Sequence, residues 1–366
     1  MGPTMTRKRK MHLRKTSTGF TLVELMVSLA VGLTVLFAMV TLFKSGMDST
    51  FIVAQRVETQ QNMRAAMQIM VKDINMAGAG LPTGGLQLPT GGGATAERFG
   101  CDQSGTCYVP AFNYPANFMY GIIPGYKNGV QGNAVVPSAP GQINDSITVV
   151  YVDYNFPLFE YNVTYVPGSN GTLITLAANP AYNPAPTAIN AAGGLQLGDL
   201  VMLSNNAGNA VGEVTGFTAT TITFAVNDAL NMNQPGATVS DNLQSLMKAA
   251  VATTAYRLFA VTYYLTVPVN GQLPRLMRQV NGLTPVPVAD NIINLQFAYD
   301  DYNTTTGALD ADQANPIGLG DQLNMIQKTN IVVYGESLTQ NGNKSQNMYL
   351  ATSVSARNMA FRNRYQ

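Results

Sequence analysis

The sequence predicts an α+β protein: a long N-terminal helix, membrane-spanning in its first half, packed on a β-rich, mostly antiparallel globular domain. Three observations carry this reading. From Phe20 to Phe43 the only ionisable side chain is Glu24, so the run is apolar on every side. No proline interrupts the chain from Phe20 to Gly80, which lets the helix continue beyond the apolar run. From about Asp145 onward, short runs of β-branched and aromatic residues follow one another, with Gly, Asn and Pro between them.

The first element is long enough to cross a bilayer. A helix from Phe20 to Phe43 would cover roughly 36 Å, against a hydrocarbon core of about 30 Å. Arg7, Lys8, Arg9, Lys10, Arg14 and Lys15 precede it and no acid does. Positive flanks stay inside, so the N-terminus is expected in the cytoplasm and the residues after Phe43 outside. A secretory signal carries its small-residue cleavage site after the apolar region. Here Ser17, Thr18 and Gly19 lie before it. A cut there removes the basic leader and leaves the anchor attached.

The stretch "RKTSTGFTLVELMVSLAVGLTVLF" from Arg14 to Phe37 resembles the prepilin signal of type IV pilins and type II secretion pseudopilins. The resemblance implies that a membrane-embedded peptidase cuts after Gly19 and methylates the new N-terminus, Phe20. It also implies a role for Glu24. A charged group in lipid is costly and usually functional, and in pilins the matching acid meets the N-terminal amine of a neighbouring subunit. An interfacial glutamate reaching for headgroups is the plainer reading of the same residue. Many major pilins carry a proline within this half of the helix; this chain has none.

Beyond the span, Val53, Val57, Met63, Met67, Met70 and Ile74 recur at helical spacing with Arg56, Glu58, Arg64 and Lys72 between them. One helix is therefore expected through to about Met76. Gly78 to Gly93 reads as a linker with two copies of "LPTGG". Cys101 and Cys107 flank a short turn, "CDQSGTC", outside the membrane, where a disulfide is permitted. So small a loop would contribute roughly 2 kcal/mol on the chain-entropy argument. Strands are expected in "SITVVYVDY", "GDLVMLS", "VGEVTGF", "TTITFAV", "FAVTYYLTV", "INLQFAYD" and "TNIVVYGES", with a short helix in "DNLQSLMKAAVA". The organisation is then a leader over 1–19 and a helix over 20–77, spanning at 20–43 and amphipathic at 44–77. A loop-rich linker or insertion with the disulfide covers 78–140, and a β-rich globular domain 141–366.

Further blocks resemble the PilW family of minor pilins. They are "NMRAAMQIMVKDINMAGAG", with the acid Asp73, then "DSITVVY", "GDLVMLS", "LPRLMRQVNG", "VADNIINLQFAYD" and the tail "SVSARNMAFRNR". Their order is what carries the likeness. Gly80–Pro140 and Ala177–Gly194 stand out as loop-rich expansions.

Composition excludes several classes of function. The only histidine, His12, is in the leader, so the chain after the leader has no histidine for acid–base chemistry or metal ligation. There is no P-loop and no G-x-S-x-G elbow, and enzyme activity is not expected. Six of the 21 Lys and Arg lie in the leader, leaving 15 against 20 acids, a net charge near −5. No basic patch remains, so nucleic acid is not expected as a main partner. No cofactor is expected. "YDDYNTTTGALDADQ" is expected to set Asp300, Asp301, Asn303, Asp310 and Asp312 in a glycine-containing loop between strands. These are hard oxygen donors that could suit a structural Ca²⁺. The spacing is not that of an EF-hand, so a solvated acidic loop is preferred.

The resemblance implies a minor pilin, a single-pass inner-membrane subunit with a periplasmic domain that later joins a surface pilus. Its implied partners are other minor and major pilins, the prepilin peptidase, the inner-membrane assembly platform and membrane lipid. The alternatives are a minor pseudopilin of type II secretion and a membrane-anchored periplasmic binding module.

Overall fold

In the computed structural model the described residues are 19–89, 99–108, 118–129, 144–233, 243–247, 252–266, 273–316, 322–337 and 346–359. The basic leader up to residue 18 and the Arg-Asn tail after residue 359 lie outside them. The chain divides into two compact units, Met1–Ala54 and Gln55–Gln366.

Helix α1 runs from Leu22 to Met76. Its first part is long and apolar enough to cross a membrane, and none of that stretch is buried within the protein. The hydroxyls there bond back to the helix's own carbonyls: Ser28 to Leu25 at 3.0 Å, Thr34 to Val31 at 2.8 Å and Thr41 to Ala38 at 2.9 Å. Polar side chains in lipid must be satisfied within the segment, and these are. Burial starts at Thr59 and follows the helical period through Met63, Ala66, Met67, Met70, Asp73 and Ile74. Val57, expected on the buried stripe, is 45% exposed, and Val53 is exposed as well. The helix stops where a positive φ is needed. Gly78 has φ 75°, and its N–H donates to Val150 O at 2.9 Å, tying the helix end to the sheet.

Strands β1 (Leu86–Gln87) and β2 (Phe118–Met119) form a small ribbon. Next come β3 (Ile122–Gly125), β4 (Ser146–Val152), β5 (Tyr161–Tyr165) and β6 (Leu173–Ala178). They are followed by β7 (Leu200–Asn205), β8 (Gly208–Glu213), β9 (Gly216–Phe217) and β10 (Thr221–Thr223). A short helix, α2 (Leu243–Met247), lies where the sequence predicts one. The later strands are β11 (Thr254–Leu265), β12 (Leu276–Val280), β13 (Val286–Ala289), β14 (Ile292–Asn303), β15 (Ala308–Gln313), β16 (Ile326–Ser337) and β17 (Gln346–Ser355).

Among the described residues three larger sheets form. A seven-stranded sheet has the order β13-β12-β11-β4-β3, with β7 also on β11 and β8 on β7. Four-stranded sheets run β5-β6-β10-β9 and β15-β14-β16-β17. Every pairing among the described strands is antiparallel, in keeping with strands that follow one another with short connections. The main core joins Met63, Met67, Met70 and Ile74 of α1 to Ile147, Val149, Leu258, Tyr263, Leu295 and Val333 of the sheets. A second core, around Leu158, Ile174, Leu203, Ile222 and Phe224, lies under the β5–β6–β10–β9 sheet. Gly335 on β16 lets α1 approach closely, since a Cβ there would stand 2.6 Å from Met63 Sδ.

Within 78–140, expected as a loop-rich linker or insertion, Leu86, Met119, Ile122 and Ile123 are buried and β3 pairs with β4. Its strands are too short to show a period in sequence.

Strand β8 ends in a buried acid, Glu213. The Glu213 carboxyl accepts the Leu230 N–H at 2.8 Å. Burial first, and then the neighbouring Asp228, push its pKa up to about 8. A raised carboxyl pKa favours the fold while the group keeps its proton. This contribution is whole below the unfolded value of 4.5 and is lost as pH rises through about 8. Glu213→Gln should therefore flatten the fall in stability between about pH 6 and pH 8.5, a fall on the order of 2 kcal/mol in the native chain. Denaturant midpoints of both proteins in detergent at the two pH values measure it. Equal slopes would show that Glu213 is ionised in the fold.

Candidate functional site

Two constellations stand out, one in each compact unit. The first is the N-terminal segment. Thr21 precedes α1 as its N-cap, and Glu24 is the third helical residue. The Glu24 N–H donates to Thr21 Oγ1 at 3.3 Å, while Glu24 Oε2 accepts the Thr21 N–H and hydroxyl, each at 3.0 Å. This is a reciprocal capping box, and it satisfies donors that a helix start leaves open. An acid here also faces the positive end of the helix. Glu24 thus has a local role beside the one the resemblance implies. The signal was present in "TLVE" as Thr-x-x-Glu, and the reading by resemblance passed over Thr21. Gly19 and Phe20 are exposed, Phe20 at 86%, and a Cβ on Gly19 would meet nothing. The point after Gly19 is therefore open to an enzyme.

The second constellation pins α1 to the large sheet. Asp73 is buried near the helix end. Its Oδ2 accepts Arg278 Nε–H at 2.8 Å and the Tyr263 hydroxyl at 2.6 Å, and its Oδ1 accepts the Tyr151 hydroxyl at 3.1 Å. Three strands, β4, β11 and β12, thereby converge on one helical side chain. Burial, and then the Asp73 charge, push both tyrosine hydroxyls well above their ordinary value. Burial alone would lower the Arg278 pKa, but Asp73 and Tyr263 outweigh it and hold the guanidinium above its usual range. In a buried ion pair each charge depends on its partner, so Asp73 and Arg278 must be kept together.

Other buried polar side chains tie strands together in the same way. Asn144 and Asp145 accept the N–H groups of Leu295 and Phe297 at 3.1 and 3.0 Å. The Asn281 amide donates to Asp199 at 3.2 Å and to Leu258 O at 2.9 Å. Arg257 donates to Asp153 at 2.5 Å and lies 3.7 Å from Asp199. These side chains cross-link strands distant in sequence, so their chemistry is structural.

Cys101 and Cys107 are joined in a disulfide across a turn. Within it, the Asp102 carboxylate accepts the Ser104 and Thr106 N–H groups and the Tyr108 hydroxyl.

The acidic segment is not a loop but two strands. Asp300, Asp301 and Asn303 lie on β14, and Asp310 and Asp312 on β15, so they belong to a hairpin whose turn is only Thr304–Gly307. Asp300 is paired with Lys328 at 2.8 Å, and Asn303 donates to Asp310 at 2.9 Å. Asn330 donates to both Asp300 and Asp312. Burial tends to raise the Asp300 pKa, but the Asp312 N–H and Lys328 outweigh it and hold the carboxyl low. Polar residues on both faces of a sheet edge concealed the strands. Among the described residues, no group of three or more His, Cys, Asp or Glu is arranged to hold a metal ion.

No curated protein and no solved structure matches the chain. Residues 14–40 match the prokaryotic N-terminal methylation motif, which covers the leader end, Gly19, Phe20, Glu24 and most of the apolar run. That motif supports a membrane-anchored, type IV pilin-like or pseudopilin protein with a structural rather than an enzymatic role.

Proposed function

We propose that the chain is a minor pilin of the PilW type, a subunit of the priming or tip complex of a type IV pilus. The methylation motif at residues 14–40, set directly before an exposed apolar helix, carries the reading. On this reading the leader keeps the N-terminus in the cytoplasm, the prepilin peptidase cuts after Gly19 and Phe20 is methylated. The mature protein waits in the inner membrane with its β-rich unit in the periplasm. It then binds other minor and major pilins at the assembly platform. Its work is packing, and the chemistry belongs to its partners.

The capping box sharpens the test of Glu24. Glutamine serves in a capping box as glutamate does, so Glu24→Gln keeps the cap and removes only the charge. A carboxylate that pairs with a neighbour's amine in lipid is weakly screened. The Gln variant should insert and be processed normally, yet recover markedly fewer pilin partners on pull-down from detergent. Unchanged recovery and unchanged surface pilus counts would reduce Glu24 to its capping role. Mass spectrometry of the same pull-down separates pilus from secretion-system partners.

A further inference from the structure

The four-stranded sheet β15-β14-β16-β17 has two edges built differently. A free edge presents unpaired N–H and C=O groups, and proteins blunt such edges with charge, proline, bulges or brevity. Edge β15 is blunted: it has six residues, two of them aspartates, and its register with β14 shifts. Edge β17 has none of these devices. Its ten residues, "QNMYLATSVS", hold no charge and no proline. They pair with β16 in one unbroken register from Gln346 to Ser355. Among the described residues no strand pairs with the other side of β17.

One face of β17 is already anchored, since Met348 and Leu350 pack against the main core. Tyr349, on the opposite face, is 71% exposed. Beside this strand is a cleft of about 280 Å³ lined by Arg56, Gln60 and Met63 of α1 and by Asn347 to Leu350. Arg56 is exposed and joins none of the ion pairs formed among the described residues.

We propose that the outer edge of β17 accepts an extended strand from a different protein, one with an acidic side chain facing Arg56. Main-chain bonds to a sheet edge give affinity, and the alternate side chains give specificity. An added strand directs every second side chain to the helix side of the sheet, into the cleft. A carboxylate there meets Arg56, and an apolar neighbour meets Met63 and Met348. A second copy fits less well, because its own β17 is uncharged and brings no acid to Arg56. The inference stands apart from the processing signal, so either can fail without the other.

The test uses the full chain in detergent and two synthetic peptides of alternating threonine and valine. One carries aspartate at its central position and the other lysine. The aspartate peptide should slow amide hydrogen exchange across Gln346–Ser355 and bind roughly fivefold more tightly than the lysine peptide. Arg56→Glu, at an exposed position, should reverse that preference. Thr352→Lys places an inward charge on the edge and should abolish binding of both peptides. An unchanged unfolding midpoint of that variant confirms that its fold is intact. No slowing by either peptide overturns the proposal. So does an edge already protected in the dilute free chain, or protection that grows with protein concentration as a dimer forms.

Discussion

Replacing Asp73 with alanine is expected to destabilise the β-rich unit by about 3–5 kcal/mol, because it strands the Arg278 guanidinium beside two buried hydroxyls. The Asp73 side chain is 6% exposed and that of Arg278 23%, so water can replace little of what is lost. The surface pair Arg275–Asp290 supplies the contrast. Its members are 52% and 55% exposed, and Arg275→Ala should cost no more than about 1 kcal/mol. Denaturant titration of both variants in detergent gives the comparison. A loss below about 1 kcal/mol for Asp73→Ala would mean that Arg278 reaches solvent by turning outward. Such a loss would remove Asp73 as the pin between α1 and the sheet.

Gly19→Arg is expected to abolish processing. On the proposed pilin reading the processing peptidase needs a small residue before the cut, and Gly19 is exposed with nothing near its missing side chain. The substitution should therefore leave the fold and insertion untouched and leave full-length precursor in the membrane. N-terminal mass analysis of the unaltered protein should show a chain beginning at methylated Phe20. A native N-terminus beyond Phe43 would end the pilin reading. A cleaved Gly19→Arg protein would move the cut elsewhere in the leader.

The sequence was most legible where the physics is local. The span, the helix end near Gly78 and the runs that became β4, β7, β11, β14 and β16 are written in residues that touch one another along the chain. The capping box of Thr21 and Glu24 was equally local, visible in four consecutive residues. Strands such as β12, β15 and β17 were harder. Each has polar residues at buried or edge positions, and alternation is the only signal a strand shows in one dimension.

By itself the sequence determined the long apolar helix and the methylation motif at its start, because apolarity over one continuous segment and a motif of adjacent residues are both local in the chain. It also determined the class, a helix followed by antiparallel strands. Only the tertiary structure decided what Asp73 does. Its partners Tyr151, Tyr263 and Arg278 lie 78, 190 and 205 residues away, and no period links such separations. The same holds for the acidic hairpin, where Lys328 and Asn330 neutralise or bind carboxylates that read in sequence as a loop. It holds too for the outer edge of β17, unpaired among the described residues, since a strand becomes an edge only when its neighbours are placed. A buried charge is tolerable only when its partners converge on it, and that convergence is a property of the folded chain.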